Sequence, residues 1–187
     1  DMSYEVYKPC IGSTVGYLMK LLKAAYGENI SDAETLRARM YAKKEEIVQK
    51  DGFPQIPGVK EAIKRFHDEG FRLEVASSSA GYYIGRVLDA LEIRQYFECY
   101  TSGEEVDHPK PAPDTFVRAM EKLKLKPEDC LIVEDSTNGG KAAAAAGAKC
   151  VWFHNPDSGD QQIPPAALTI TSWSQENVEK IIELMRQ

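Results

Sequence analysis

No run of apolar residues in this 187-residue sequence reaches the roughly 18 that a membrane-spanning helix needs. The amino end lacks the basic, then apolar, then small-residue pattern of a secretory signal. No membrane partner is therefore expected. Cysteine is scarce and scattered: Cys10, Cys99, Cys130 and Cys150 form no CxxC pair. They read as small core hydrophobes of a protein in a reducing compartment, so a cytoplasmic location is expected and a redox or metal framework is not. Positive charge is not in excess either. The 23 Lys and Arg residues face 29 Asp and Glu, a net charge of −6, which argues against a nucleic-acid partner. No internal repeat or low-complexity tract is present, and a monomer is the default expectation.

What is there is the composition of a folded globular chain, 43% hydrophobic and 28% charged. The length suits one compact domain, or one domain with a small second lobe. The first quarter reads helical. Ser13 or Thr14 can cap a helix carrying Leu18, Leu21, Leu22 and Ala25, with Gly27 at its end. Ser31 or Asp32 opens a second helix through Leu36, Met40, Ile47 and Val48, ending near Gly52. The spacings of three and four predict one buried stripe and a helical hairpin.

Phe53-Pro54-Gln55-Ile56-Pro57-Gly58 breaks both helix and strand and marks a boundary. Beyond it short apolar strands alternate with helices. Helices are predicted over Val59–Asp68, Ala80–Leu91, Asp114–Leu123, Gly140–Ala146 and Asn177–Met185. Strands are predicted at Leu73–Ala76, Cys99–Thr101, Cys130–Val133 and Lys149–Phe153. The alternation implies an α/β fold, a doubly wound parallel sheet with helices on both faces. Ligands in such sheets sit beyond the carboxyl ends of the strands, so chemistry is sought just after each strand.

Three places there carry suitable residues. In Val75-Ala76-Ser77-Ser78-Ser79, a hydroxyl at a strand tip and the amides of the next turn can hold phosphate oxygens, or a serine can cap the following helix. Ser79 could cap while Ser77 binds. In His108-Pro109-Lys110-Pro111-Ala112-Pro113-Asp114, three prolines stiffen a loop that presents one lysine. Lys110 either fixes a positive charge against an anion or lies in solvent before a helix capped by Asp114. His108 reads as a loop residue rather than a base. In Val133-Glu134-Asp135-Ser136, two acids follow directly on a buried strand. Two are more than a helix cap needs, and hard oxygen ligands suit magnesium. Successive strand side chains point to opposite faces, so one acid should be the primary ligand and the other an assistant.

The order of serine at a strand tip, lysine in a proline-rich loop and paired acid resembles motifs two, three and four of the haloacid dehalogenase-like superfamily. Val75-Ala76-Ser77 matches the second motif and Lys110-Pro111-Ala112-Pro113-Asp114 the third. Val133-Glu134-Asp135-Ser136 with Gly139 matches the fourth. The helical hairpin resembles the small cap of the phosphatase and beta-phosphoglucomutase branch. The resemblance implies a Rossmann-like core over residues 56–187 and a partial helical cap over residues 1–55. It also implies a Mg2+-dependent phosphatase acting on a small phosphorylated metabolite, a sugar phosphate for example, through an aspartyl-phosphate. Ser77 and Ser78 would hold phosphoryl oxygens, Lys110 would stabilise the nucleophile and the phosphoryl charge, and Asp135 would bind Mg2+ with Glu134 assisting.

One departure bears on activity. The family's first motif, two aspartates separated by one residue after the first strand, is not found: Ser3 stands where the second acid belongs in Asp1-Met2-Ser3. A strand, a turn and a helix start, about 30 residues by the size of such units, are expected to be missing, and negligible turnover follows. No arginine lies near Ile11-Gly12-Ser13-Thr14, which favours a phosphatase over a phosphomutase. A non-catalytic phosphate-binding chain is the reading from a different class.

Overall fold

The computed structural model describes residues 3–27 and 33–187, so the predicted start of the second helix at Ser31 or Asp32 lies outside the described residues. Helices α1 (Tyr4–Tyr7), α2 (Val15–Tyr26) and α3 (Ala33–Asp51) come first. Thr14 caps α2 by accepting from the Tyr17 amide, and Gly27 ends it. Leu18 and Leu22 of α2 bury against Cys10, with Leu36 of α3 packed on the same cluster. The predicted stripe of α3 is only partly covered. Met40 and Ile47 are 37% and 50% exposed. Met40 borders an open cavity instead of a packed neighbour. Periodicity specifies a helix face; it does not specify what covers that face.

Helix α4 (Val59–Asp68) begins the α/β part. Gly58 precedes it with φ of +82°, and a side chain there would strike the Trp173 carbonyl, so only glycine suits the position. The order is then β1 (Glu74–Ser77), α5 (Gly81–Ala90), β2 (Cys99–Ser102), α6 (Asp114–Leu123), β3 (Leu131–Glu134), α7 (Thr137–Ala146), β4 (Lys149–Phe153), β5 (Leu168–Ile170) and α8 (Gln175–Met185).

All strand pairs are parallel. Side chains alternate across the strands as parallel pairing requires. Val151 and Phe153 of β4 bury against Ala62 and Phe66 of α4 and Ile181 of α8. Cys150 and Ile132 bury on the other face against Phe116 of α6 and Ala142 of α7. In the same way Val75 packs with Ile84 of α5, and Ala76 with the α6–α7 side. Helices therefore cover both faces, and the expected doubly wound fold is present.

The sheet nevertheless comes in two pieces, β1-β2 and β3-β4-β5, with no backbone pairing between β1 and β3 among the described residues. From β1 the chain steps outward to β2. Through α6 it then crosses to β3 and steps outward the other way to β4 and β5. The reversal lies between β1 and β3, and in open α/β sheets this switch point is where ligands bind.

Candidate active site

Lys110 stands at that switch point. The Lys110–Pro111 peptide is cis. Contrary to the solvent-exposed alternative, the lysine is buried, 5% exposed. Its Nζ donates to the Ala76 carbonyl of β1 at 3.1 Å and to Oε1 of Glu134 at the end of β3. The Phe116 ring lies 4.2 Å from the ammonium, so one side of the charge is apolar. One ammonium thus joins the carboxyl ends of the two facing strands.

The other oxygen of Glu134 accepts from the Ser136 hydroxyl at 3.0 Å and from the amides of Asp135 and Ser136 at 3.2 and 3.3 Å. Ser136 also caps α7, accepting from the Gly139 amide at 3.0 Å. A side chain at Gly139 would overlap the Glu134 carboxylate, so glycine here is required by the acid. Asp135, one residue past the strand, has different partners. Its Oδ2 accepts from Asn155 Nδ2 at 2.9 Å and Ser158 Oγ at 2.6 Å. These two orienting residues escaped the sequence reading. Asn155 lies two residues past the β4 strand, where the strand-end rule would have found it.

Ser77 ends β1, next to the carbonyl that Lys110 holds, and its Oγ accepts from the Ser79 amide at 3.1 Å. Ser79 does not cap α5. The helix starts one residue later than that cap needs: Ala80 occupies the capping position without a side-chain bond, while the Ser79 carbonyl accepts from Ser102 Oγ at 2.7 Å. Ser78 donates to the Gly12 carbonyl at 2.9 Å. Asp114 opens α6 from its first turn rather than capping it, and pairs with exposed His108 at 3.1 Å. Lys110, Glu134 and the tip of β1 are therefore brought together, Asp135 faces a neighbouring pair of donors, and His108 stands apart.

No group of three His, Cys, Asp or Glu side chains suited to a metal occurs among the described residues. The donors at the strand end are the two carboxylates. That set fits magnesium, which commonly takes one or two protein carboxylates and completes its shell with waters and substrate phosphate. The four cysteines are all free. Burial raises the Cys99 and Cys150 thiols to about 11, far from thiolate reactivity. Among the described residues no helix is long and apolar enough to cross a membrane.

Beside this rim lies a cavity of about 960 Å3. It is bounded by the Ser78–Ala80 turn, the loop after β2, residues 10–16, and Met40, Tyr41 and Lys44 of α3. Ser77, Lys110, Glu134 and Asp135 are not in its wall; it adjoins the charged cluster rather than enclosing it.

The chain is similar to known proteins over most of its length. YhcW of Bacillus subtilis is 30% identical over 158 residues, 83% of this chain and 70% of that protein. A phosphoglycolate phosphatase from Nitrosospira multiformis is 29% identical over 150 residues, 79% of this chain and 66% of that enzyme. The crystal structure of a beta-phosphoglucomutase from Clostridium difficile superposes with a TM-score of 0.77 at 21% identity, covering all of this chain and 83% of the other, a likeness of fold. The family model described as haloacid dehalogenase-like hydrolase matches residues 1–153, a span that holds the serine turn, the buried lysine and the paired acids, and the chain belongs to that family.

Proposed function

We propose that this chain is the phosphate- and magnesium-holding part of a phosphatase for small phosphorylated metabolites, sugar phosphates among them. The observation that carries the reading is the buried Lys110 ammonium between the Ala76 carbonyl and Glu134, at the point where the sheet reverses. A buried cation with one carboxylate and a serine turn beside it is a receptor for a phosphoryl anion. Ser77 offers its hydroxyl and Ser78 its backbone amide to its oxygens, the Ser78 hydroxyl being bonded to the Gly12 carbonyl, and Lys110 balances its charge. Asp135 is the residue to hold Mg2+, with Glu134 assisting; the ion when bound would neutralise phosphoryl charge. Residues 1–55 form a helical cap and residues 56–187 the core. The cavity between them takes the organic part of the substrate.

Glu134 is bound to Lys110 and Ser136 and so is not available as a nucleophile. We infer that the seam between β1 and β3 takes one more parallel strand, and that an aspartate on it attacks phosphorus. The 187 residues alone are then expected to bind phosphate with negligible turnover. The lack of an arginine near Ile11–Thr14 favours water over a second sugar hydroxyl as final acceptor.

Calorimetric titration with inorganic phosphate in the presence of Mg2+ tests the site. Binding should weaken about tenfold or more in Lys110→Met and clearly in Ser77→Ala. Equal binding by Lys110→Met would overturn the site. Release of phosphate from sugar phosphates at ordinary enzyme rates by this chain would overturn the assignment of the nucleophile.

A further inference from the structure

The cavity beside the rim is far larger than a phosphoryl group, at the upper end of the roughly 300–1,000 Å3 of small-molecule sites. Its phosphate end is the Ser78–Ala80 turn. In the same wall, α3 contributes Met40, Tyr41 and Lys44, and α5 contributes Tyr83. Lys44 is the one Lys or Arg in the wall among the described residues.

The local charges leave Lys44 uncompensated. Its neighbour Glu45 gives both oxygens to Arg86, at 2.7 and 3.0 Å. Lys43 pairs with Glu46 at 2.9 Å. No carboxylate lies within ion-pair distance of Lys44 among the described residues. Its Nζ instead rests 3.5 Å from the centre of the Tyr83 ring. An aromatic face steadies a cation without cancelling its charge. Contact of the ammonium with the ring and wall lowers the Lys44 pKa through desolvation, although the residue as a whole is exposed. A lysine held by a ring at the wall of an open cavity, with no ion-pair partner among the described residues, is a cation placed to meet an anion in that cavity.

We propose that Lys44, seated on Tyr83, binds a second anionic group of the substrate, so that the preferred ligand is a small phosphomonoester with a carboxylate or second phosphoryl group at its far end. The proposal rests on the phosphate site of the previous section and specifies what the α3 side of the cavity wall reads. Lys44 is a specificity residue and takes no part in the chemistry. Tyr83 fixes where the ammonium stands.

The test uses the whole 187-residue chain with Mg2+ and four probes: inorganic phosphate, and three-carbon alkyl monophosphates ending in a hydroxyl, a carboxylate or a second phosphate. Calorimetric Kd values should show one or both doubly anionic probes binding about tenfold tighter than the hydroxyl-ended one. Which of them gains tells carboxylate from phosphoryl recognition. Lys44→Gln should erase the preference while leaving inorganic phosphate binding intact, and Lys44→Arg should keep it. Equal binding of all three monophosphates by the parent protein would overturn the proposal, as would a preference that survives in Lys44→Gln. Loss of the preference in Lys44→Arg as well as Lys44→Gln would indicate packing rather than charge, and would also overturn it. If inorganic phosphate itself fails to bind the parent protein, the phosphate site falls and this inference falls with it.

Discussion

Lys110 and Glu134 form an ion pair whose side chains are only 5% and 10% exposed, and that pair links two strands that share no backbone hydrogen bond. Taking both charges out of water is costly, and their attraction with the added bonds from Ala76 and Ser136 offsets that cost. The pair is thus a fixed charge arrangement first and a stabilising contact second.

Breaking it from one side should be severe. Lys110→Met leaves Glu134 buried without its cation, and a loss of about 3–5 kcal/mol is expected. Lys110→Met combined with Glu134→Gln removes both charges and should recover most of that loss. Urea denaturation of the parent, the single and the double variant measures both effects. A single variant within about 1 kcal/mol of the parent would mean that Glu134 sheds its charge or finds another partner.

Gly139→Ala tests the same pair sterically. The added methyl enters the space of the Glu134 carboxylate, and Lys110 and Ser136 prevent that carboxylate from moving freely. A cost of about 1–3 kcal/mol is expected, the usual range for overpacking. Phosphate affinity should fall with it, because the displaced acid takes Lys110 along. Gly52→Ala meets no neighbour but sits at φ of +74°, so it should cost stability while leaving phosphate affinity unchanged.

Glu74 gives a pH signature. Burial pushes its carboxyl above the ordinary glutamate value of 4.5, and the bond from Thr101 Oγ1 at 2.5 Å only partly opposes this. Its second oxygen is buried without a full hydrogen bond, the weak Cys99 thiol being the one other donor acting on the carboxylate. The native state therefore holds a proton that the unfolded chain releases. Over the window that opens near 4.5 and extends upward, stability falls as pH rises. Glu74→Gln removes this dependence. The variant should be more stable than the parent at pH 7, and the gap should close toward pH 4. A gap that widens on acidification would show that Glu74 is stabilised as the anion.

Much of this arrangement was legible in the residues, and what was not has physical reasons. Helices α4 and α6 fell at their predicted bounds, because each is strongly amphipathic and starts directly after a breaker, Gly58 or Pro113. Strand β5 was missed. Leu168-Thr169-Ile170 is three residues long beside Pro164 and Pro165, too short to show a period. The split of the sheet was invisible because pairing is a property of two strands, and Val133, 38% exposed at the seam, reads in sequence like any other core valine. Ser77, Lys110, Glu134 and Asp135 stood out as polar residues at strand tips or in a rigid loop. Asn155 and Ser158 did not, since such residues populate turns for reasons unrelated to any site.

Those two residues yield the last prediction. Asn155 Nδ2 and Ser158 Oγ both donate to Asp135 Oδ2, which fixes the carboxylate in one orientation. A ligand held by such partners loses metal affinity when they are removed, typically 10- to 100-fold. Calorimetric titration of the chain with Mg2+ should therefore show Asn155→Ala weakened by about tenfold or more, and Asp135→Asn without measurable binding. Asn138→Ala is the control. It removes bonds to the Pro9 and Ile11 carbonyls on the same rim, and touches neither acid. It should leave Mg2+ affinity unchanged even if it loosens the segment before α2. Equal Mg2+ affinity in the parent and Asp135→Asn would remove this aspartate from the proposed metal site.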